Sequence, residues 1–209
     1  MKIALFGATG HIGAGILDEA LSRGHDVVAV VRDPSRLKVT HPKLQVVQGD
    51  VSDTNSFAKA IAGSDASIAS LNGPADALVS AANNLLAALP KAGIRRLVWV
   101  GGAGSLLTPA GTRVIDAPDF PEAWKGAANA QVKALEAFLA TTADIDWTYV
   151  SPAGEIGPGP KTGTYRVGDD HLLLDADGHS RISIADFAAG LVDRAEKNDK
   201  PRRRITIAY

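Results

Sequence analysis

Seven residues near the N-terminus, Gly7-Ala8-Thr9-Gly10-His11-Ile12-Gly13, join a short apolar run, Lys2–Phe6, to a stretch with helical periodicity. A dinucleotide needs its pyrophosphate close to backbone N–H groups at a helix N-terminus, and only residues without side chains permit that approach. In this order Gly7 makes the tight turn, Gly10 admits the pyrophosphate and Gly13 lets the helix pack on the first strand. His11 could face the ribose or the mouth of a site, or simply start the helix. The phosphate loop GxxxxGK followed by Ser or Thr is absent, which disfavours an ATPase.

The second strand, Asp26–Val31, is followed by Arg32. An NAD-selective site places an acidic residue here, to accept from both ribose hydroxyls. A guanidinium instead pairs with a 2′-phosphate and stacks on adenine, so NADP(H) is favoured over NAD(H), with Arg36 assisting. Asp33 either reaches the ribose or, with Pro34, begins a turn.

The GxxGxxG spacing, as GATGxIG, resembles the extended and atypical short-chain dehydrogenase/reductases. Their main branch uses a Tyr-x-x-x-Lys pair, whose lysine helps the phenol pass a proton. None of Tyr149, Tyr165 and Tyr209 has a lysine four residues on. Relatives also place a Ser or Thr at the third position after the fifth strand, where this chain has Ala103; Ser105 is the candidate catalytic donor that remains. Gly101 and Gly102 leave room for a flat ring against the backbone. Trp124 and Lys125 fall in the helix region where the missing pair is expected.

Later motifs sharpen the resemblance: Val100-Gly101-Gly102-Ala103-Gly104-Ser105-Leu106, Asp119-Phe120-Pro121, Asp146-Trp147-Thr148, Ser151-Pro152-Ala153, Lys161-Thr162-Gly163-Thr164-Tyr165-Arg166 and Gly178-His179-Ser180-Arg181-Ile182-Ser183 leading into Asp186. Over nearly the whole chain they are similar to the NmrA-like, NAD(P)H-binding branch described as NADH-flavin reductases, and to flavin and biliverdin reductases. That resemblance implies Asp50-Val51 against the adenine, Leu71-Asn72-Gly73 in the phosphate and ribose crevice, and Pro152-Ala153 beside the cofactor. It also places a Ser and a His of the flavin and biliverdin reductases at about Gly102 and Ala153, neither of which transfers a proton. The implied activity is hydride transfer from NADPH to a planar acceptor, flavin as substrate or a quinone, by positioning alone. A non-catalytic NADP(H) sensor that signals to a protein partner is the rival, and a nucleotide-sugar epimerase or dehydratase a weaker third.

The elements that must hold these residues alternate strand and helix periodicity, which indicates an α/β, doubly wound, mostly parallel Rossmann-type sheet. Further strands are expected at Leu44–Gln48, Ala66–Ser70, Arg96–Val100 and Asp146–Val150. Helix faces are expected at Ile12/Ile16/Leu17/Ala20/Leu21, Leu78/Ala82/Leu85/Leu89 and Val132/Leu135/Leu139. Gly24 and Gly93 cap helices, making His25 a turn residue. Beyond lie a hairpin of Thr164–Val167 with His171–Leu174, a helix over Ala185–Glu196 and a final strand. The 209 residues suit one domain, 1–209, with about 151–185 as a cap. Asp186 reads as a helix N-terminal charge favoured by the dipole.

Lys plus Arg, 22, nearly balance Asp plus Glu, 23, so no global charge calls for nucleic acid, and Arg202-Arg203-Arg204 reads as a solvated edge. The absence of cysteine excludes thiolate metal sites and fits a reducing compartment. The five histidines show no HxxxH pairing, so no metal is expected. No apolar run reaches the length of a membrane span. These features together suggest a cytoplasmic protein.

Overall fold

The computed structural model describes residues 1–209. Seven parallel strands and one antiparallel edge strand form the main sheet, in the order β3-β2-β1-β4-β5-β6-β10-β8. The strands are β1 (Lys2–Phe6), β2 (Asp26–Val31), β3 (Leu44–Gln48), β4 (Ala66–Ala69), β5 (Arg96–Val100), β6 (Asp146–Pro152), β7 (Glu155–Gly157), β8 (Arg166–Gly168), β9 (Arg181–Ser183) and β10 (Arg203–Ala208). The helices are α1 (His11–Ser22), α2 (Ala58–Ile61), α3 (Ala75–Lys91), α4 (Glu122–Ala140) and α5 (Ile184–Lys197).

Alternation within the strands sends side chains to two cores. Ile3, Leu5, Val27 and Ala29 pack with α1 and α5, while Ala4, Phe6, Val28 and Val30 belong to the side closed by α3 and α4. Strands buried on both faces explain the near-continuous apolar runs in β1, β2 and β5. Phe138, fully buried on α4, joins Trp99, Trp147 and Tyr149 with ring centroids 5.2–5.8 Å apart. Leu139 departs from the expected core face of that helix and is 64% exposed, because its neighbour Phe138 turns inward instead.

Chain order reverses between β1 and β4, so the connections leaving their carboxyl ends diverge and open a crevice. The expected hairpin does not form: β8 pairs with β10, and His171 bridges to Leu107. Meanwhile β7 and β9 make a separate parallel pair. Backbone bonds from Leu107 N–H to the Asp170 carbonyl, 2.9 Å, and from Leu172 N–H to the Leu107 carbonyl, 2.8 Å, stitch the β5–α4 connection to this C-terminal segment. Thus a wall of the crevice comes from residues 106–121, which periodicity alone leaves as loop.

The Lys161–Arg166 motif proves to be an anchor. Lys161 pairs with buried Glu19 at 2.7 Å, and Tyr165 donates to Asp193. Asp186, fully buried, accepts from Thr162 N–H and Oγ1, Gly163 N–H and the Tyr209 hydroxyl. Its role is therefore to tie three remote segments together, beyond the expected dipole charge. His25 is likewise more than a turn residue: it is buried, with Nε2 2.7 Å from Glu196.

At the amino end of β5, buried Arg96 donates to the carbonyls of Arg194, Asp146 and Asp199 and to Thr148 Oγ1. Burial pulls its guanidinium down to about 10. Asn198, Lys200 and Arg202 adopt φ values of 45°, 56° and 54° in the turn that presents the Asp199 and Lys200 carbonyls to Arg96 and Thr148. Arg204 is not free in solvent: its side chain is mostly buried and pairs with Asp170 at 2.7 Å.

Candidate active site

The glycine turn shows why each glycine is needed. Gly7 has φ 85°, and a Cβ on it would lie 1.9 Å from the Ser70 carbonyl at the end of β4. A Cβ on Gly13 would meet the Gly7 carbonyl at the same distance, so helix and turn are in direct backbone contact. Gly10 differs: its nearest neighbour would be 3.5 Å away, and the residue is exposed. The protein's own packing thus dictates Gly7 and Gly13, whereas Gly10 leaves space on the open side.

No side chain caps α1, and its first turn carries no acidic residue. Its first helical bond runs from Ala14 N–H to the Gly10 carbonyl at 2.8 Å, and the N–H groups of His11 and Ile12 have no partner within the chain. Free donors at the positive end of a helix suit an anion.

Those residues border a cavity of about 1050 Å³. Thr9, Gly10, His11 and Ile12 line it together with Leu71, Asn72, Gly101, Gly102, Pro152 and Ala153. Buried Ala8 belongs to the strand–helix core, and Gly73, which donates its N–H to the Asn72 side chain, lies outside the lining. The lining also includes Thr108, Asp119, Phe120 and Trp124, from the β5–α4 connection and the start of α4, and Glu155, Leu172 and His179 from the C-terminal segment.

Arg36 lines the cavity beside the glycine turn, whereas exposed Arg32 does not. Asp33 caps the short turn that carries Arg36, accepting from Ser35 N–H at 3.0 Å and Ser35 Oγ at 2.6 Å. Those two bonds hold its carboxyl below the usual range. Asp50 and Val51 are also outside the lining. Asp50 accepts from Ser52 N–H and Oγ, and Val51 packs on the core with its carbonyl taken by Asn84.

The expectation for Ser105 needs correction. Ser105 is buried, lies outside the lining and accepts from Arg204 at 3.2 Å, because the short turn Ala103–Ser105 carries it behind the cavity wall. Gly101 is small for an internal reason: a Cβ there would sit 2.0 Å from the Tyr149 ring. A Cβ on Gly102 would come 3.1 Å from Gln131 Cβ, so internal packing favours glycine at both positions, and both line the cavity. Tyr149 itself does not line the cavity; its hydroxyl donates to the Gln131 carbonyl at 2.8 Å, and burial pushes the phenol well up.

Gln131 is among the lining residues that sequence reading missed. Its Oε1 accepts from Trp99 Nε1 at 3.2 Å and its Nε2 donates to the Leu71 carbonyl at 3.1 Å, bracing α4 against the crevice. The signal was a run of small and polar residues, Ala127, Ala128 and Gln131, at helical spacing. No three His, Asp or Glu side chains converge as a metal site requires. No helix is long and apolar enough to cross a membrane.

Comparison with known proteins agrees with this geometry. The Bacillus subtilis (strain 168) protein YwnB, itself uncharacterized, is 37% identical over 213 residues, covering 99% of this chain and 98% of that protein. A crystal structure of a candidate epimerase from Bacteroides thetaiotaomicron superposes with a TM-score of 0.92 at 37% identity, covering 100% of this chain and 96% of the other. A candidate NADH-flavin reductase from Streptococcus pneumoniae TIGR4 gives 0.86 at 33% identity, covering 100% and 99%. Because the profile of an NAD(P)H-binding family also matches residues 7–195, around the very turn whose free N–H groups face the cavity, the chain belongs to that NAD(P)H-binding family.

Proposed function

We propose that this protein is an NADPH-dependent oxidoreductase acting on a planar, electron-poor acceptor such as a flavin or a quinone. The observation that carries the proposal is one continuous cavity, open from the uncapped N-terminus of α1 to the exposed indole of Trp124. Bound there, the nicotinamide cofactor supplies a hydride, and the acceptor takes it up with one proton from solvent. Residues Thr9–Ile12 would hold the pyrophosphate and Arg36, with Arg32 near the rim, the 2′-phosphate. Asp33 gives one carboxylate oxygen, Oδ1, to Ser35 in capping its turn. Trp124, 60% exposed, and Phe120, both in the lining, offer apolar faces for a ring to stack on.

The candidate epimerase and the candidate flavin reductase point to different chemistries. Stereochemical inversion at a sugar carbon needs a proton-transferring side chain, and Tyr149 is sealed behind the wall with its hydroxyl on Gln131. Hydride acceptance by a flavin needs orientation more than a strong acid, and that is what the cavity offers. Steady-state oxidation of NADPH in the presence of flavins and quinones tests the proposal. Turnover that depends on the acceptor is expected; a preparation that binds NADPH yet reduces none of them would sink it. That outcome would favour a redox sensor, a reading supported by the exclusion of Ser105 and Tyr149 from the lining.

A further inference from the structure

The side-chain amide of Gln131 is held in one orientation by the chemistry of its partners. Trp99 Nε1 can only donate, and it reaches Oε1 at 3.2 Å; the Leu71 carbonyl can only accept, and it takes one N–H of Nε2 at 3.1 Å. The Tyr149 hydroxyl lies 3.1 Å from Oε1 while donating to the Gln131 main-chain carbonyl at 2.8 Å. An amide nitrogen carries two hydrogens. The second N–H of Nε2 therefore has no acceptor within the chain, on a half-buried residue that lines the cavity.

The same contacts fix where that N–H stands. Leu71 follows β4 and Gly102 follows β5, and a Cβ on Gly102 would come 3.1 Å from Gln131 Cβ, so the side chain spans the carboxyl ends of two neighbouring strands. The glycine turn follows β1, on the other side of β4, and touches its end, since a Cβ on Gly7 would meet the Ser70 carbonyl. Arg36 follows β2, beyond β1. Along the carboxyl edge of the sheet the order is thus Arg36, glycine turn, Gln131. A dinucleotide with its pyrophosphate on the N-terminus of α1 and its 2′-phosphate toward Arg36 has its nicotinamide half on the β4–β5 side.

We propose that Gln131 binds the nicotinamide, its spare N–H donating to the carboxamide oxygen, the strong neutral acceptor on that half of the cofactor. The inference rests on the cofactor part of the reading above and is independent of the acceptor. Because Trp99 and Leu71 stop the amide from turning over, it offers the cavity a donor and never an acceptor. A ring tethered through its carboxamide cannot rotate freely about the bond to its ribose. Gln131 thereby sets which face of the dihydronicotinamide meets the acceptor, a task of orientation that needs no proton-transferring group.

NADPH and 2′-phospho-ADP-ribose, which is the same molecule without its nicotinamide, are the matched probes. Their binding to the full chain, with no acceptor present, is measured by isothermal titration. Gln131→Met keeps the length of the side chain and removes the amide; Gln131→Glu removes the N–H donors while keeping an oxygen for Trp99, so that at least one variant retains the brace. Each is expected to weaken NADPH about fivefold and to leave 2′-phospho-ADP-ribose within about twofold of the wild type. Unchanged NADPH affinity in both variants, or equal loss of the two ligands in both, makes Gln131 a structural brace only; either result overturns the inference and leaves the proposed oxidoreductase standing. A wild-type protein that binds neither ligand overturns both.

Discussion

Gly13 and Gly7 are in backbone contact: a Cβ on Gly13 would lie 1.9 Å from the Gly7 carbonyl oxygen. Gly10, between them, would meet that oxygen at an ordinary 3.5 Å. The two kinds of glycine separate folding from binding. Gly13→Ala is expected to cost about 2–4 kcal/mol, since backbone on both sides must shift. Gly10→Ala should stay within about 1 kcal/mol of the wild type in a denaturant titration, yet weaken NADPH binding at least about tenfold. A Gly10→Ala protein that binds NADPH normally would show that the open side of the turn is not the phosphate site.

Arg36 borders the cavity and Arg32 does not. Arg36→Ala is therefore expected to weaken NADPH by about tenfold, with NADH nearly unchanged, as for loss of a charge-assisted bond to the 2′-phosphate. Arg32→Ala should have the smaller effect. Isothermal titration with both cofactors decides, and an unchanged NADPH-to-NADH ratio in both variants would show the preference for the phosphorylated form to be wrong.

Trp124 is large, apolar and 60% exposed, so removing it should scarcely touch the core. Trp124→Ala is expected to leave stability within about 0.5 kcal/mol and to raise the acceptor KM about fivefold or more, with NADPH affinity intact. Equal loss of both affinities would place the indole in a general structural role.

Asp186 and Asp193 link acid stability to the C-terminal anchor. For Asp186 burial raises the carboxyl, but bonds from Thr162, Tyr209 and Gly163 outweigh it and hold it below the ordinary value. For Asp193 burial also raises, but Lys197, Arg23 and Tyr165 bring it down to about 2. Folded values below unfolded ones give stability that is complete above about pH 4 and fades as pH falls through the folded values, toward pH 2 for Asp193. Asp186→Asn should lower the melting temperature at neutral pH and flatten the acid side of the profile. An acid limb as steep as the wild type's would remove Asp186 from this account.

Lys200 sits at φ 56°, where an L side chain crowds the following carbonyl. Lys200→Gly should gain about 0.5 kcal/mol net of the added chain entropy, without altering turnover. Loss of stability would mean that the lysine side chain contributes more than its backbone conformation costs.

The N-terminal half was legible because its signals are local. A strand, GATGHIG and an amphipathic helix lie within 22 residues, and turn geometry, helix capping and apolar periodicity are all functions of near neighbours. The positions of the five leading parallel strands and of β6 followed from the same short-range pattern, as did the absence of a Tyr-x-x-x-Lys pair. The resemblance motifs after residue 150 marked the right segment without showing its work: Asp186 reads as a dipole charge until Thr162, Gly163 and Tyr209 arrive from elsewhere in the chain.

Tertiary structure alone decided which residues share the cavity. Leu107 joining Asp170 and Leu172, Gly101 yielding to the Tyr149 ring, and Ser105 turning to Arg204 are pairings between distant parts of the chain. No periodicity encodes them, since each depends on how two independently formed elements pack. The sequence by itself determined that a nucleotide turn opens a doubly wound sheet; the packing of its loops determined which side chains line the cavity beside that turn.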